Sequence, residues 1–336
     1  MASNLIEPTY LLDYPLTPSV NDYRCVVDGS GLSVIFERSL PHSKADNLYS
    51  LDLVEDGGAQ PVLLMQKASP PPQSNRPDWQ WHTGSVAFNW IDQHGRLSVG
   101  IVDVWGNVRR LNHTGHMNYP TWYPGGGHLA VMNRDKAANP NPSTSKIDAE
   151  GKLVSSALAG SQMWTGMPSV NQASPNLIAF AGQPANTDPT QDPYNEDQNY
   201  IYTVDTSKTP LAPAVLEYGA AGTYFEAKFQ GRAPWWSPDG KWVVFESNRA
   251  CPPPANSGKG MYAIFLYKAG STNSAIQVTD PKYNMNHAKW FPGGFPGASG
   301  KPTLIVASWQ PGANGTPAWP YGIATLDVSS IVKATQ

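Results

Sequence analysis

The chain has 336 residues, a formal net charge of −3 and only 15% charged residues. So sparse and slightly acidic a charge excludes duplex nucleic acid as a partner, because phosphate binding needs a basic face. No run of eighteen apolar residues occurs, which excludes a transmembrane segment of the helical kind. The 32 prolines and 30 glycines lie between apolar runs, the pattern of many short strands joined by shaped loops.

In chain order, Thr9 to Tyr14 reads as a short strand with no neighbour to pair with. A first unit follows at 21–66: strand Tyr23–Val27, turn Asp28-Gly-Ser-Gly31, strand Leu32–Arg38, and two outer strands at Leu48–Leu53 and Pro61–Met65. Unit two, 78–112, has Asp78–Trp81, Ser85–Trp90, Leu97–Val104 and Asn107–Leu111. Unit three, 117–160, opens on Tyr119-Pro-Thr-Trp-Tyr-Pro-Gly-Gly-Gly127. Unit four, 165–218, pairs Met167–Val170 with Leu177–Ala181 and ends in Tyr200–Val204 and Ala214–Glu217. Unit five, 232–279, holds the clearest design, Ala233-Pro-Trp-Trp-Ser-Pro-Asp-Gly-Lys-Trp-Val-Val-Phe-Glu-Ser-Asn-Arg249. There Pro238 fixes φ, Asp239 bonds its own backbone and Gly240 accepts positive φ, so two strands meet at a tight turn. Unit six, 286–330, has His287–Gly294, Thr303–Trp309 and Tyr321–Val328 but no fourth strand.

Six units of this size are the period of propeller blades. The missing strand of unit six and the spare strand 9–14 complete each other, closing the ring and removing its sheet edges. The expected fold is therefore all-β, a single six-bladed β-propeller over 1–336.

Trp236-Ser-Pro-Asp-Gly-Lys241 with its apolar strand and Arg249 resembles the PD40 repeat of TolB-like propellers. Trp122-Tyr-Pro-Gly-Gly126 with Val131–Arg134, Trp290-Phe-Pro-Gly-Gly294, and Asp28-Gly-Ser-Gly31 with Phe36–Arg38 resemble variants of it. The resemblance implies a TolB-like (WD40-like) scaffold and carries no catalytic signature, since one fold hosts many functions.

In such a propeller the Ser-Pro-Asp-Gly turns lie on one face, and the long second-to-third-strand loops lie on the other. Long loops on a rigid scaffold are the usual seat of binding. Aligning Trp122 with Trp290 sets Asn118 opposite Asn286 and Tyr119 opposite His287, each ahead of an innermost strand. His116 or His287 as base and Tyr119 as acid, with Arg134 or Arg249 neutralising a carboxylate, would suit a polysaccharide (uronate) lyase. Asn118, Arg134, Arg232, Arg249, Asn286 and Trp309 are the candidate ligand-binding residues, with Trp164, Trp309 and Trp319 as sugar-stacking surfaces. For a divalent cation (Ca²⁺ or Mn²⁺), His113, His116 and His287 offer nitrogen, and the loop of Asp188, Asp192, Glu196 and Asp197 offers oxygen. Neither set makes a recognised motif, so no cofactor is assigned. There is no nucleophile elbow, P-loop or His-Glu-x-x-His.

The preferred reading is a monomeric binding module for a protein, peptide or carbohydrate ligand, with the lyase as the alternative. Met1-Ala-Ser-Asn4 is no signal peptide, yet the low lysine content and Asn/Pro-rich loops point to a periplasmic or secreted chain whose leader has been removed. Cys25 and Cys251 lie in distant units and are expected to be free buried thiols.

Overall fold

The computed structural model describes residues 5–14, 20–39, 46–53, 60–68, 71–112, 114–135, 142–161, 163–184, 199–215, 230–251, 261–271, 275–292, 300–310 and 320–335. Among them lie six antiparallel four-stranded sheets. The closing strand is β1 (Thr9–Tyr10). Blade one is β2 (Asn21–Val27), β3 (Ser33–Ser39), β4 (Asn47–Asp52) and β5 (Val62–Leu63). Blade two is β6 (Gln73–Trp79), β7 (Val86–Ile91), β8 (Leu97–Val102) and β9 (Val108–Arg110). Blade three is β10 (Met117–Trp122), β11 (His128–Asn133), β12 (Ser143–Asp148) and β13 (Leu153–Ser155). Blade four is β14 (Met163–Val170), β15 (Leu177–Pro184), β16 (Tyr200–Asp205) and β17 (Ala214–Val215). Blade five is β18 (Gly231–Trp236), β19 (Trp242–Ser247), β20 (Ala263–Lys268) and β21 (Ile276–Gln277). Blade six is β22 (Asn286–Trp290), β23 (Thr303–Trp309), β24 (Tyr321–Asp327) and, as its outer strand, β1. One short helix, α1 (Ser329–Ala334), follows and tucks Val332 into the core; the sequence reading did not foresee it.

The ring closes as expected. Thr9 pairs with Thr325 and Tyr10 with Ala324, and Leu11 donates to the Ile323 carbonyl at 2.9 Å. Tyr14 then locks the seam to blade one. Its hydroxyl donates to Asp22 at 2.9 Å and accepts from the Ile323 N–H at 2.9 Å. Its ring lies over Gly322, where any Cβ would come within 2.5 Å of it.

The core sits between blades. Each second strand is apolar on both faces and faces a neighbouring sheet on each side. Six buried clusters result, one per interface. Cys25, Val34 and Phe36 of blade one pack on Ile305 and Ile323 of blade six, for example, and Val26 and Ile35 pack on Val86 and Phe88 of blade two. Aromatic cross-strand pairs fill the middle: Phe245 stacks on Phe265 and Phe180 on Tyr202, both with centroids 5.7 Å apart. In blade two Gly100 takes that place, because Phe88 and Trp90 lean across it. Both thiols are free, Cys25 buried and Cys251 half-buried. No helix among the described residues is long and apolar enough to cross a membrane.

Candidate functional site

Every innermost strand carries the same irregularity. Its pairing with the second strand slips between Tyr23 and Val26, Asn75 and Asp78, Asn118 and Thr121, Gly166 and Ser169, Arg232 and Trp235, and Asn286 and Lys289. The first residue inside each slip has a left-handed backbone: Arg24 at φ 38°, Arg76 at 56°, Tyr119 at 53°, Met167 at 51°, Ala233 at 47° and His287 at 53°. These are β-bulges, which re-aim side chains. A non-glycine residue in this region costs of order 1–3 kcal/mol, so something must hold it there. The next residue is proline in four blades: Pro77, Pro120, Pro168 and Pro234. The innermost strand pairs on one side only, and proline removes a donor that would otherwise face the axis unpaired.

Three bulges are latched by the preceding blade. Glu37 of β3 accepts from the Arg76 N–H, Asn89 of β7 from the Tyr119 N–H at 2.8 Å, and Glu246 of β19 from the His287 N–H. The equivalent positions in blades three, four and six are Met132, Ala181 and Ala307, which offer no side-chain acceptor of that kind.

The six bulge residues surround an axial cavity. The remaining wall comes from residues one or two places further along each strand, among them the four prolines, Trp235 and Lys289. The cavity lies within the channel, at the level of the bulges and of the residues that follow them.

Four cations meet three carboxylates around the axis. Arg24 Nη1 pairs with Glu37 Oε2 at 2.7 Å, and Arg232 Nη2 with Glu246 Oε1 at 2.6 Å. Lys289 Nζ lies 3.9 Å from Asp78 Oδ1, donates to the Pro77 carbonyl at 2.8 Å and sits 3.9 Å from the Trp235 ring centroid. Arg76 is the cation left over. Its guanidinium stacks on Tyr119, 3.5 Å from the ring centroid, its Nε is buried without a hydrogen-bond partner, and no carboxylate among the described residues forms an ion pair with it. Burial first, and then the Arg24 charge, hold its pKa well below the ordinary arginine value. Burial likewise lowers Lys289 and raises Glu37 and Asp78.

His287 is constrained on both ring nitrogens. Nε2 lies 3.3 Å from Arg24 Nε, and arginine can only donate, so Nε2 is the bare acceptor. The proton is then on Nδ1, 4.0 Å from Glu246 Oε2. Burial, reinforced by Arg24 and Arg232, holds the imidazole pKa well below 6.5, so the ring is neutral at pH 7.

Of the residues singled out from sequence, Tyr119 and His287 share this cavity. His116 does not line it: exposed in the turn before β10, it donates its N–H to the Leu97 carbonyl and accepts from the Arg134 N–H. Arg134 is exposed beside it. Asn118 and Asn286 are buried behind their bulges, and Asn286 binds the Asn284 carbonyl, Tyr321 and Arg232. Arg232 is held by Glu246 and lies over Tyr262 at 4.3 Å. Arg249 lies over Phe265 at 4.7 Å and donates to Ser247. Trp164 and Trp309, expected to be exposed, are each 2% exposed, because they pack inside the sheets; neither can stack on a sugar. His113, Asp188, Asp192, Glu196, Asp197 and Trp319 lie outside the described residues. Among the described residues no three His, Cys, Asp or Glu side chains gather as a metal would require.

The residues missed from sequence are Arg24, Arg76, Trp235 and Lys289. Asn75-Arg76-Pro77 matches Asn118-Tyr119-Pro120 in its asparagine and proline, and that repeat was the available signal.

No protein-family model matches the chain, and no curated protein does. Solved structures do match. The putative TolB from Agrobacterium tumefaciens aligns at TM-score 0.53 and 13% identity, over 78% of this chain and 80% of that one. The fold is a TolB-like six-bladed β-propeller. An oligogalacturonate lyase from Vibrio parahaemolyticus aligns at TM-score 0.50 and 10% identity, over 96% of this chain and 97% of that one. A prolyl endopeptidase aligns at 0.52 and 12%, over 92% of this chain but 47% of its own length. At such identities the likeness is one of fold.

Proposed function

We propose that this TolB-like propeller is an exported binding module, which holds a protein or peptide ligand through its long-loop face and axial channel. The observation that carries this reading is the state of the axial cluster. A general base needs a free lone pair and a pKa near the working pH. His287 has its lone pair turned to Arg24 and its pKa held well below 6.5. Glu37 and Glu246 are each committed to an arginine and a backbone latch. The cluster is built to stay as it is, which suits recognition. Affinity capture from a periplasmic extract, with the wild type and an Arg134→Glu variant of the exposed loop-face arginine, tests it. A partner retained by the wild type and lost by the variant supports the reading.

The lyase alternative draws on one observation, that Tyr119 and His287 share a cavity with several cations. Absorbance at 235 nm over a panel of uronate polysaccharides tests it. A rise that disappears in His287→Ala would replace the binding reading with the lyase.

A further inference from the structure

The axial cavity has two unlike sides. Pro120, Pro168 and Pro234, Met167, Ala233 and Trp235 form a continuous apolar wall. Across from it stands Arg76, the one of the four cations that makes no ion pair among the described residues. A buried cation without a counter-ion is unfavourable, and proteins pair or neutralise such groups. Arg24, Arg232 and Lys289 each lie within 4 Å of a carboxylate; the Arg76 guanidinium stacks on Tyr119, feels the Glu37 carboxylate at longer range, and makes no ion pair among the described residues. Its position is also imposed. The Glu37 latch on its N–H and Pro77 after it hold a left-handed backbone that points the guanidinium to the axis.

We infer that the axial cavity binds one carboxylate with an apolar body, its head on the Arg76 guanidinium and its body against the proline and tryptophan wall. A planar guanidinium fork matches the two oxygens of a carboxylate, and a bound anion would supply the close counter-charge that Arg76 lacks. A single head group fits the arithmetic, since only one of the four cations lacks an ion pair among the described residues. An apolar body fits because Pro120, Met167, Pro168, Ala233 and Pro234 offer no polar side chain, whereas the ring hydroxyls of a sugar acid would lose their water against them without replacement. The inference rests on the propeller acting as a binder and adds the chemical class that its channel accepts.

Isothermal titration with 3-phenylpropionate tests it, with 3-phenylpropionamide as the uncharged body, acetate as the bare head and galacturonate as a head on a polar body. The wild type is expected to bind 3-phenylpropionate saturably and at least tenfold more tightly than each of the other three. Arg76→Gln is expected to weaken it by roughly tenfold to a hundredfold, the loss of one charge-assisted hydrogen-bonded contact, with Arg76→Lys in between. Arg76→Gln removes an unpaired buried charge, so its melting temperature should not fall; that separates lost binding from lost fold. No saturable binding by the wild type, amide binding as tight as acid, tighter galacturonate, or unchanged affinity in Arg76→Gln each overturns the inference. None of these depends on partner capture, so a wild type that captures a partner but ignores the acid sinks this inference alone. Acid binding without any captured partner sinks the protein-ligand reading instead.

Discussion

Glu246 is the residue whose loss should be felt most. It is fully buried, accepts from Arg232 Nε at 2.8 Å and Nη2 at 2.6 Å, and takes the N–H of the His287 bulge in the next blade. Glu246→Ala leaves Arg232, only 12% exposed along its side chain, as an uncompensated buried charge and orphans a backbone donor. Breaking a buried pair from one side costs about 3–5 kcal/mol, and the orphaned donor falls within the same disruption, so about 4 kcal/mol is the expected total. An unfolding entropy of about 2.1 cal/mol/K per residue, over 336 residues, amounts to about 0.7 kcal/mol/K. The melting temperature should therefore drop by about 6 °C by calorimetry. Lys208→Ala, which breaks a pair whose lysine is 75% exposed, should move it by less than about 1 °C. The double variant Arg232→Met, Glu246→Leu should recover most of the loss, because an apolar pair carries no stranded charge. A Glu246→Ala protein that melts within a degree of wild type would refute the latch, as would a double variant worse than both single ones together.

Acid should act through His287. Its folded pKa is depressed, so below 6.5 the unfolded chain binds a proton that the folded one refuses. Its share of stability is present above that pH and lost below it, at about 1.4 kcal/mol per pH unit. Urea unfolding at pH 7.5 and 5.5 should show wild type losing about that much more than His287→Asn, and equal losses would contradict the assignment. Burial pushes the Cys25 thiol up to about 12, whereas Cys251 is half-buried. A thiol reagent at pH 8 should therefore find one reactive cysteine in the native protein and two in guanidinium. Removing residues 1–14 strips β1 and Tyr14 from β24 and exposes an edge. Light scattering should show self-association, and a stable monomer would mean that the ring does not depend on this closure.

The fold was legible because its signals are local. A Ser-Pro-Asp-Gly turn between an aromatic strand and a β-branched one declares a hairpin, and its repetition declares blades. The spare strand at Thr9 and the missing one after Tyr321 then closed the ring by counting. The site was only half legible. A bulge inserts one residue and resets the alternation of a strand, so the side chain that reaches the axis is not the one the period selects. Tyr119 and His287 surfaced through their alignment on Trp122 and Trp290. Arg76 did not, because β6 begins at Gln73 and the sequence reading began that strand at Asp78, beyond the bulge. Arg24 precedes Cys25 where four other blades have proline, which hides the correspondence. The inter-blade latches join residues such as Glu246 and His287 that belong to different repeats, and no pattern within one repeat predicts them.

The central claim is that the axial cluster is a fixed recognition site and not an acid–base centre. Nitrogen-15 NMR of the His287 ring tests this most directly, because it reads charge and tautomer together. The ring should be neutral, protonated on Nδ1 with Nε2 bare, and should not titrate as pH passes through 6.5. A ring that titrates near neutrality with its proton on Nε2 would contradict it and return His287 to the role of a base.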